Sequence, residues 1–302
     1  MYYKLALHTM ESFIKYSEKV GQNFLLCQGP GGNTSIKTGN NIYIKKSGHL
    51  LSNSTKKETF KKVHLGNISN FYLNNIDDKK FDKELSIETP LHVLLPSKYV
   101  FHYHSIASIL ISSIYEKRTL NTILIENNIL PVDYIRPGYE LAKEILSTND
   151  EHKFKSFFLY NHGVVVEGKN VKHIYGMIRT IEKLFSELID YSELKKVTRI
   201  VLSSKFNNSK FKNPNSKLDY EKFKDRYLFP DHSVFFPDSF TFDKKNIYVE
   251  KYLNSTETQY FQTLLILYNL IGEKKILNSI NKNVGEKLRN SEDEQLRLMV
   301  NK

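Results

Sequence analysis

The segment Tyr99–Ser105, YVFHYHS, constrains this chain more than any other. Its strict alternation predicts a β-strand with Val100, His102 and His104 on one face. Two imidazoles at that spacing can turn their nitrogens to a single ion. They form a compact half of a tetrahedral zinc site, which needs neutral nitrogen donors at about 2.0–2.1 Å. A histidine pair also occurs in cores with its hydrogen bonds satisfied, so the pair alone leaves both readings open. A third histidine, His162, sits in an Asn161-His162-Gly163 turn. It would close a three-histidine site with one position open; by itself it is equally an ordinary turn residue.

Upstream, SIETPLHVLL opens with Ser86 and Glu88 and has Pro90 near its start, the pattern of a helix N-terminus. A carboxylate there, close in sequence to the histidine strand, is a candidate general base. It is also what a helix dipole favours in a first turn. His92 lies one helical turn after Glu88 and can orient it, bind substrate or pack. Two glycine-containing turns, Gly31-Gly32-Asn33-Thr34-Ser35 and Lys46-Ser47-Gly48, offer backbone N–H groups and hydroxyls that can cradle a phosphate. Neither has the spacing of a P-loop or of a dinucleotide fingerprint.

Length and composition imply a soluble, intracellular and basic protein, and no more. Its 302 residues can bury a sizeable core, and 40% hydrophobic with 25% charged residues excludes disordered, collagenous and disulfide-scaffold classes. The opening MYYKLALH lacks a signal peptide's basic start and apolar run, and no eighteen apolar residues run together, so no membrane partner is expected. A single cysteine, Cys27, fits a reducing, cytoplasmic location. The net charge of +11 raises nucleic acid as a partner. Its distribution argues against that: residues 203–226 hold seven basic and three acidic residues in a polar stretch, and no nucleic-acid motif accompanies them. An anionic small substrate suits the charge better, and a solvated basic face suits it as well.

Periodicity predicts an amphipathic helix over 3–20, two short strands around a Gly39-Asn40 turn, and a helix from 86 to 95. It further predicts helix over 106–128, a Pro-Gly-initiated helix after Arg136, strands on both sides of Asn161-His162-Gly163, and one long helix over 171–197. Residues 53–83 are polar with weak periodicity. The C-terminal part contains the apolar segment YFQTLLILYNLIG and a polar final helix. The mixture implies an α/β or α+β domain of about 200 residues with an α-rich extension.

Taken in order, these pieces resemble the class II aldolase/adducin family. GGNTSIK resembles its Gly-Asn-x-Ser strand, and IYIKKSGHLL its next strand and phosphate turn. SIETPLH followed by VFHYHS resembles its glutamate helix and His-x-His strand. YIRPGYELA matches its Pro-Gly-x-x-Leu-Ala segment, and YNHGVVVEG its third-histidine turn. The resemblance covers roughly residues 3–200 and is nearest to the aldolase part of long rhamnulose-phosphate-aldolase-like proteins, a segment of which RYLFPDHSVFF also resembles. No dinucleotide-binding half follows within 302 residues, so an attached dehydrogenase activity is not expected.

The resemblance implies an α/β, three-layer fold with a central, mainly antiparallel sheet flanked by helices, plus an α-rich C-terminal extension. Residues 1–204 would be the catalytic domain, and 205–302 would pack on that core or on a neighbouring subunit. It implies His102, His104 and His162 as metal ligands, with Zn²⁺ (or Mn²⁺ or Co²⁺) as cofactor, and Glu88 as catalytic acid/base. Gly32, Asn33, Ser47, Gly48, Ser86 and His92 become the candidate substrate and phosphate cradle. A divalent metal on three histidines lowers the energy of a carbanion beside a carbonyl. The expected function is thus a metal-dependent lyase cleaving a small phosphorylated or nucleotide-linked keto sugar through an enediolate. Decarboxylation or epimerisation of a sugar-derived keto acid uses the same site, and a non-catalytic adducin-like binding module is the reading from another class. A homo-oligomer, dimer or tetramer, is expected, with Tyr115 and Arg136 as candidates for completing a neighbour's site.

Overall fold

The His-x-His strand lies at the centre of the sheet. In the computed structural model of the chain, which describes residues 2–74, 80–203, 210–212, 223, 226–236, 240–242, 246–249 and 253–300, seven strands form one sheet. These are β1 (Asn33–Thr38), β2 (Asn41–Lys45), β3 (Phe60–His64), β4 (Tyr99–Tyr103), β5 (Leu130–Val132), β6 (Ser156–Leu159) and β7 (Gly163–Gly168). Their order is β3-β2-β1-β4-β7-β6-β5, and every pairing is antiparallel except β5 with β6. The expected three-layer fold with a mainly antiparallel sheet is what the structure has.

All five residues of β4 are buried, and the alternation divides them between two cores. Tyr99, Phe101 and Tyr103 join the larger apolar cluster, while Val100 joins a second cluster with Leu91, Val132, Leu141, Phe157 and Val165 on the opposite face. His102 shares the Val100 face by the period of two. On the large-cluster face lie α1 (Tyr2–Gly21), α4 (Ile106–Ile114), α7 (Val171–Leu188) and α8 (Tyr191–Ser203). On the other face lie α2 (Leu65–Asn74), α3 (Thr89–Leu94) and α6 (Tyr139–Thr148); α5 (Lys117–Glu126) packs near β5.

Helix α4, IASILISSI, is buried on every side from Ile106 to Ser113. A helix apolar all round needs cover on both faces. The second cover is α10 (Ser255–Ile271), which holds the apolar segment singled out above and packs on α4 and α8. The rest of the C-terminal part comprises β8 (Lys210–Lys212), β9 (Arg226–Tyr227), α9 (Pro230–Phe235), which packs on α10, β10 (Phe240–Phe242), β11 (Asn246–Val249), β12 (Ile280–Asn281), α11 (Lys282–Arg289) and α12 (Glu292–Val300). Helix α10 begins with a capping box: the Glu257 N–H donates to the Asn254 side chain at 2.9 Å, and the Asn254 N–H donates to Glu257 at 3.0 Å. Asn254→Ala is expected to lower unfolding free energy by about 1 kcal/mol, measured by denaturant titration.

Two local expectations need correction, and a third stretch holds elements that its weak periodicity does not mark. Residues 106–128 are two helices, because Tyr115 is extended and the Glu116 carboxylate caps α5 by accepting from Arg118 and Thr119 N–H. Residues 171–197 also divide, at extended Ile189, where Asp190 accepts from the Glu193 N–H at 2.9 Å and starts α8. Residues 53–83 hold β3, which adds the last strand to the sheet beside β2, and α2. Most of the basic stretch 203–226 lies outside the described residues. No helix among the described residues is long and apolar enough to cross a membrane.

Candidate active site

Four buried side chains from three places in the chain meet at the end of β4: Glu88, His102, His104 and His162, whose ligating atoms all lie within 4.8 Å of one another. Each is delivered by local structure. Glu88 is the residue before α3, but its carboxylate does not cap that helix and is free to face the sheet. His102 is within β4, His104 just beyond it, and His162 lies in the turn between β6 and β7. That turn is tight because Asn161 adopts a left-handed conformation (φ 52°) and Gly163 packs directly on β4.

The imidazole nitrogens have defined roles. His102 Nδ1 lies 3.1 Å from the Val164 carbonyl, which can only accept, so Nδ1 carries the proton and Nε2 presents a lone pair. His104 Nδ1 lies 3.2 Å from the Asp231 carboxylate, whose negative charge favours a proton at Nδ1. The two Nε2 atoms are 3.0 Å apart. Lone pair then faces lone pair in a buried site, an arrangement a cation between them relieves. Glu88 Oε1 sits 3.2 Å from His102 Nε2 and 3.3 Å from His162 Nε2, and no hydrogen-bond donor reaches it. Three nitrogens and a carboxylate oxygen fit a divalent metal of the zinc type.

Electrostatics keep this set in its ligating state. Burial pushes His162 down to about 4 and lowers His104, against the opposing pull of Glu88 on the first and Asp231 on the second. Both rings are therefore neutral near pH 7, as metal ligands must be. Burial raises the Glu88 carboxyl, and positive charge at His102 or His162 beside it opposes this and lowers it well below the usual carboxylate range.

The surroundings order the carboxylate. Asn33 lies opposite His102 in the β1–β4 register, and its Nδ2 donates to Glu88 Oε2 at 2.7 Å. His92, fully buried, hydrogen-bonds Asn33 through Nε2 and Ser35 Oγ through Nδ1 at 2.8 Å. It thus lies one layer behind the site and reaches Glu88 through Asn33. Gly32 has φ +67°, and a Cβ there would come within 2.9 Å of the His102 carbonyl, so only glycine lets the loop pass so close to β4.

Gly32, Asn33, Ser47, Gly48, Ser86, Glu88, His104 and His162 all line one cavity of about 40 Å³, with His102 immediately behind it. The cavity also has walls that the motifs did not indicate: Lys45, Lys80, Asp231, Asp293, Glu294 and Arg297. Lys45 Nζ donates to the carbonyls of Pro30 (2.9 Å) and His49 (2.6 Å), and burial lowers its amine to about 8. Lys80 pairs with Asp293 at 2.8 Å. Asp231 falls within the RYLFPDHSVFF segment singled out above, whereas nothing in the polar final helix marks Arg297. Tyr115 and Arg136 do not line this cavity; the Tyr115 hydroxyl donates to the Leu188 carbonyl at 2.6 Å.

Known proteins share this architecture. The family model described as Class II Aldolase and Adducin N-terminal domain matches residues 11–189. An L-fuculose phosphate aldolase of Methanococcus maripaludis is 29% identical over 161 residues, 52% of this chain and 83% of that protein. The uncharacterized oxidoreductase YuxG of Bacillus subtilis is 28% identical over 214 residues, 61% of this chain but only 31% of YuxG. The solved N-terminal class II aldolase domain of a conserved Thermoplasma acidophilum protein superposes with a TM-score of 0.51 at 25% identity, covering 59% of this chain and 92% of that one. The family match takes in both glycine turns, the glutamate helix and all three histidines across more than half of the sequence, and on that span the chain belongs to the class II aldolase and adducin family.

Proposed function

We propose that the chain is a divalent-metal-dependent lyase that cleaves a small phosphorylated keto sugar by a retro-aldol reaction, with Zn²⁺ as metal and Mn²⁺ or Co²⁺ able to replace it. The observation that carries this reading is the convergence of Glu88 with the three histidines at one buried point. The L-fuculose phosphate aldolases among the relatives support the substrate class. On this reading residues 1–204 carry the catalytic machinery, and 205–302 form an extension.

His102, His104 and His162 hold the metal, which when bound supplies Lewis-acid stabilisation of charge developing beside the carbonyl. Retro-aldol cleavage turns a hydroxyl carbon into an aldehyde and leaves an electron pair on the carbon next to the ketone. Glu88 is the group placed to move the proton at that carbon, and Asn33 keeps its carboxylate oriented. Ser47, Gly48, Ser86 and Gly32 line the same cavity as His104 and His162 and form the anion cradle, with Lys45 and Lys80 supplying positive charge. Helix α12 contributes Asp293, Glu294 and Arg297 to the lining of the same cavity.

The test is metal content and its effect on stability. The purified chain is expected to hold close to one equivalent of a divalent metal. Zinc at about a thousand times its dissociation constant should add about 4 kcal/mol to the stripped protein, read as a rise in melting temperature. A chain that takes up no divalent metal when zinc is offered, and whose melting point does not respond, is not a metal-dependent lyase.

A further inference from the structure

The metal-site histidines do not all find their supports within the family-matching segment. His102 is oriented by the Val164 carbonyl of β7, inside residues 11–189. His104 is oriented by Asp231, far outside it, on the short helix α9 of the C-terminal part. Asp231 is fully buried and uses its two oxygens for different purposes. Oδ1 pairs with Arg297 Nη2 at 2.5 Å, and Oδ2 faces His104 Nδ1 at 3.2 Å. Arg297 is in turn held by Glu294 at 3.1 Å and donates to the Tyr260 hydroxyl at 2.8 Å, so the pair is anchored by α10 and α12.

A second feature shows that the contact is built. At Gly31 a Cβ would come within 2.8 Å of His104 Nδ1 and 3.3 Å of Asp231 Oδ2. The glycine leaves open the space in which the imidazole and the carboxylate meet. Without an acceptor at Nδ1, the His104 proton is equally at home on Nε2, where it would point at His102 Nε2 and block ligation. A carboxylate on Nδ1 selects the ligating tautomer and fixes the plane of the ring.

We propose that Asp231 is a positioning residue of the metal site, holding His104 with Nε2 turned to the metal, so that the C-terminal extension orients a ligand that the family-matching segment supplies. The inference rests on the metal-centre reading above. A structural ion pair with Arg297 accounts for Oδ1 alone; it gives no reason for Oδ2 to face His104 across a gap kept clear by Gly31.

The experiment uses the full chain, with Zn²⁺ affinity measured by competition against a chelator of known strength and the visible absorption of the Co²⁺-loaded protein as a second readout. Asp231→Asn is expected to weaken Zn²⁺ binding by about 10–100-fold and to change the Co²⁺ bands. Asp231→Glu, which restores a carboxylate, should return affinity to within about threefold of wild type. Asp293→Asn removes an acid from the same cavity wall without touching His104 and should change affinity by less than about threefold, which separates ring orientation from overall charge. If Asp231→Asn does not fold because the buried Arg297 loses one of its two carboxylate partners, the Asp231→Asn/Arg297→Met double variant removes both charges and is held to the same 10–100-fold loss. Zn²⁺ affinity within threefold of wild type with unchanged Co²⁺ bands overturns the inference alone. A wild-type chain that binds neither metal overturns the metal-centre reading and this inference with it.

Discussion

Glu88→Gln is expected to slow hydrogen exchange at the carbon beside the carbonyl of a bound ketose phosphate by about 10²–10⁴-fold, the usual contribution of a positioned acid/base. Glutamine keeps the length and shape of the side chain. Its carbonyl can still accept from Asn33 Nδ2, and its amide can donate towards the lone pairs of His102 and His162, so the site should remain folded around it. What is lost is a group that can take up a proton. Exchange in deuterated water, followed by proton NMR on the metal-loaded protein, measures this directly. An unchanged exchange rate removes Glu88 from the proton-transfer role. If the metal content of the variant stays near one equivalent, the three histidines suffice to hold the ion and the carboxylate is free for chemistry.

The second large effect is on the backbone beneath the site. Gly163→Ala would place a Cβ 2.4 Å from the Tyr103 carbonyl oxygen and 3.2 Å from His104 Cα. The obstructing atoms are backbone in the middle of the sheet, so they cannot swing aside as a side-chain tip would. Strands β4 and β7 must separate at the point where they carry His104 and His162. A loss of about 3 kcal/mol, the upper end of overpacking costs, is expected in denaturant unfolding, together with weaker metal binding. A variant as stable as wild type would mean that the β6–β7 turn yields more easily than its packing implies.

Much of this was readable from residue order, for definable reasons. Alternation in YVFHYHS locates His102, because a buried central strand divides its side chains between two cores and the period of two survives in the sequence. Asn33 and Gly32 were legible from a motif, yet why they are needed appears only in the β1–β4 register that sets Asn33 against His102. The helix breaks at Tyr115 and Ile189 escaped the reading because caps by Glu116 and Asp190 interrupt stretches whose apolar periodicity runs on. Asp231 and Arg297 were out of reach for another reason. Their roles come from contacts between distant parts of the chain, Asp231 with His104 and Arg297 with Asp231, and no local pattern of charge encodes such a meeting.

The Asn161 side chain bears on how far this fold can be treated as an interchangeable cassette. Beside His162, its Nδ2 is shared among Ser113 Oγ (3.4 Å), the Leu228 carbonyl (3.2 Å) and the Asn278 carbonyl (3.3 Å). Two of those three acceptors belong to the part of the chain beyond the family-matching residues. A graft confined to residues 11–189 would bring the motif across intact, but would take from the Asn161 side chain two of its three acceptors and bare the outer side of α4. The smallest transplantable unit therefore includes α9, α10 and the loop holding Asn278. Chimeras joined at residue 189 should yield misfolded or metal-poor protein even where every ligand has been carried over.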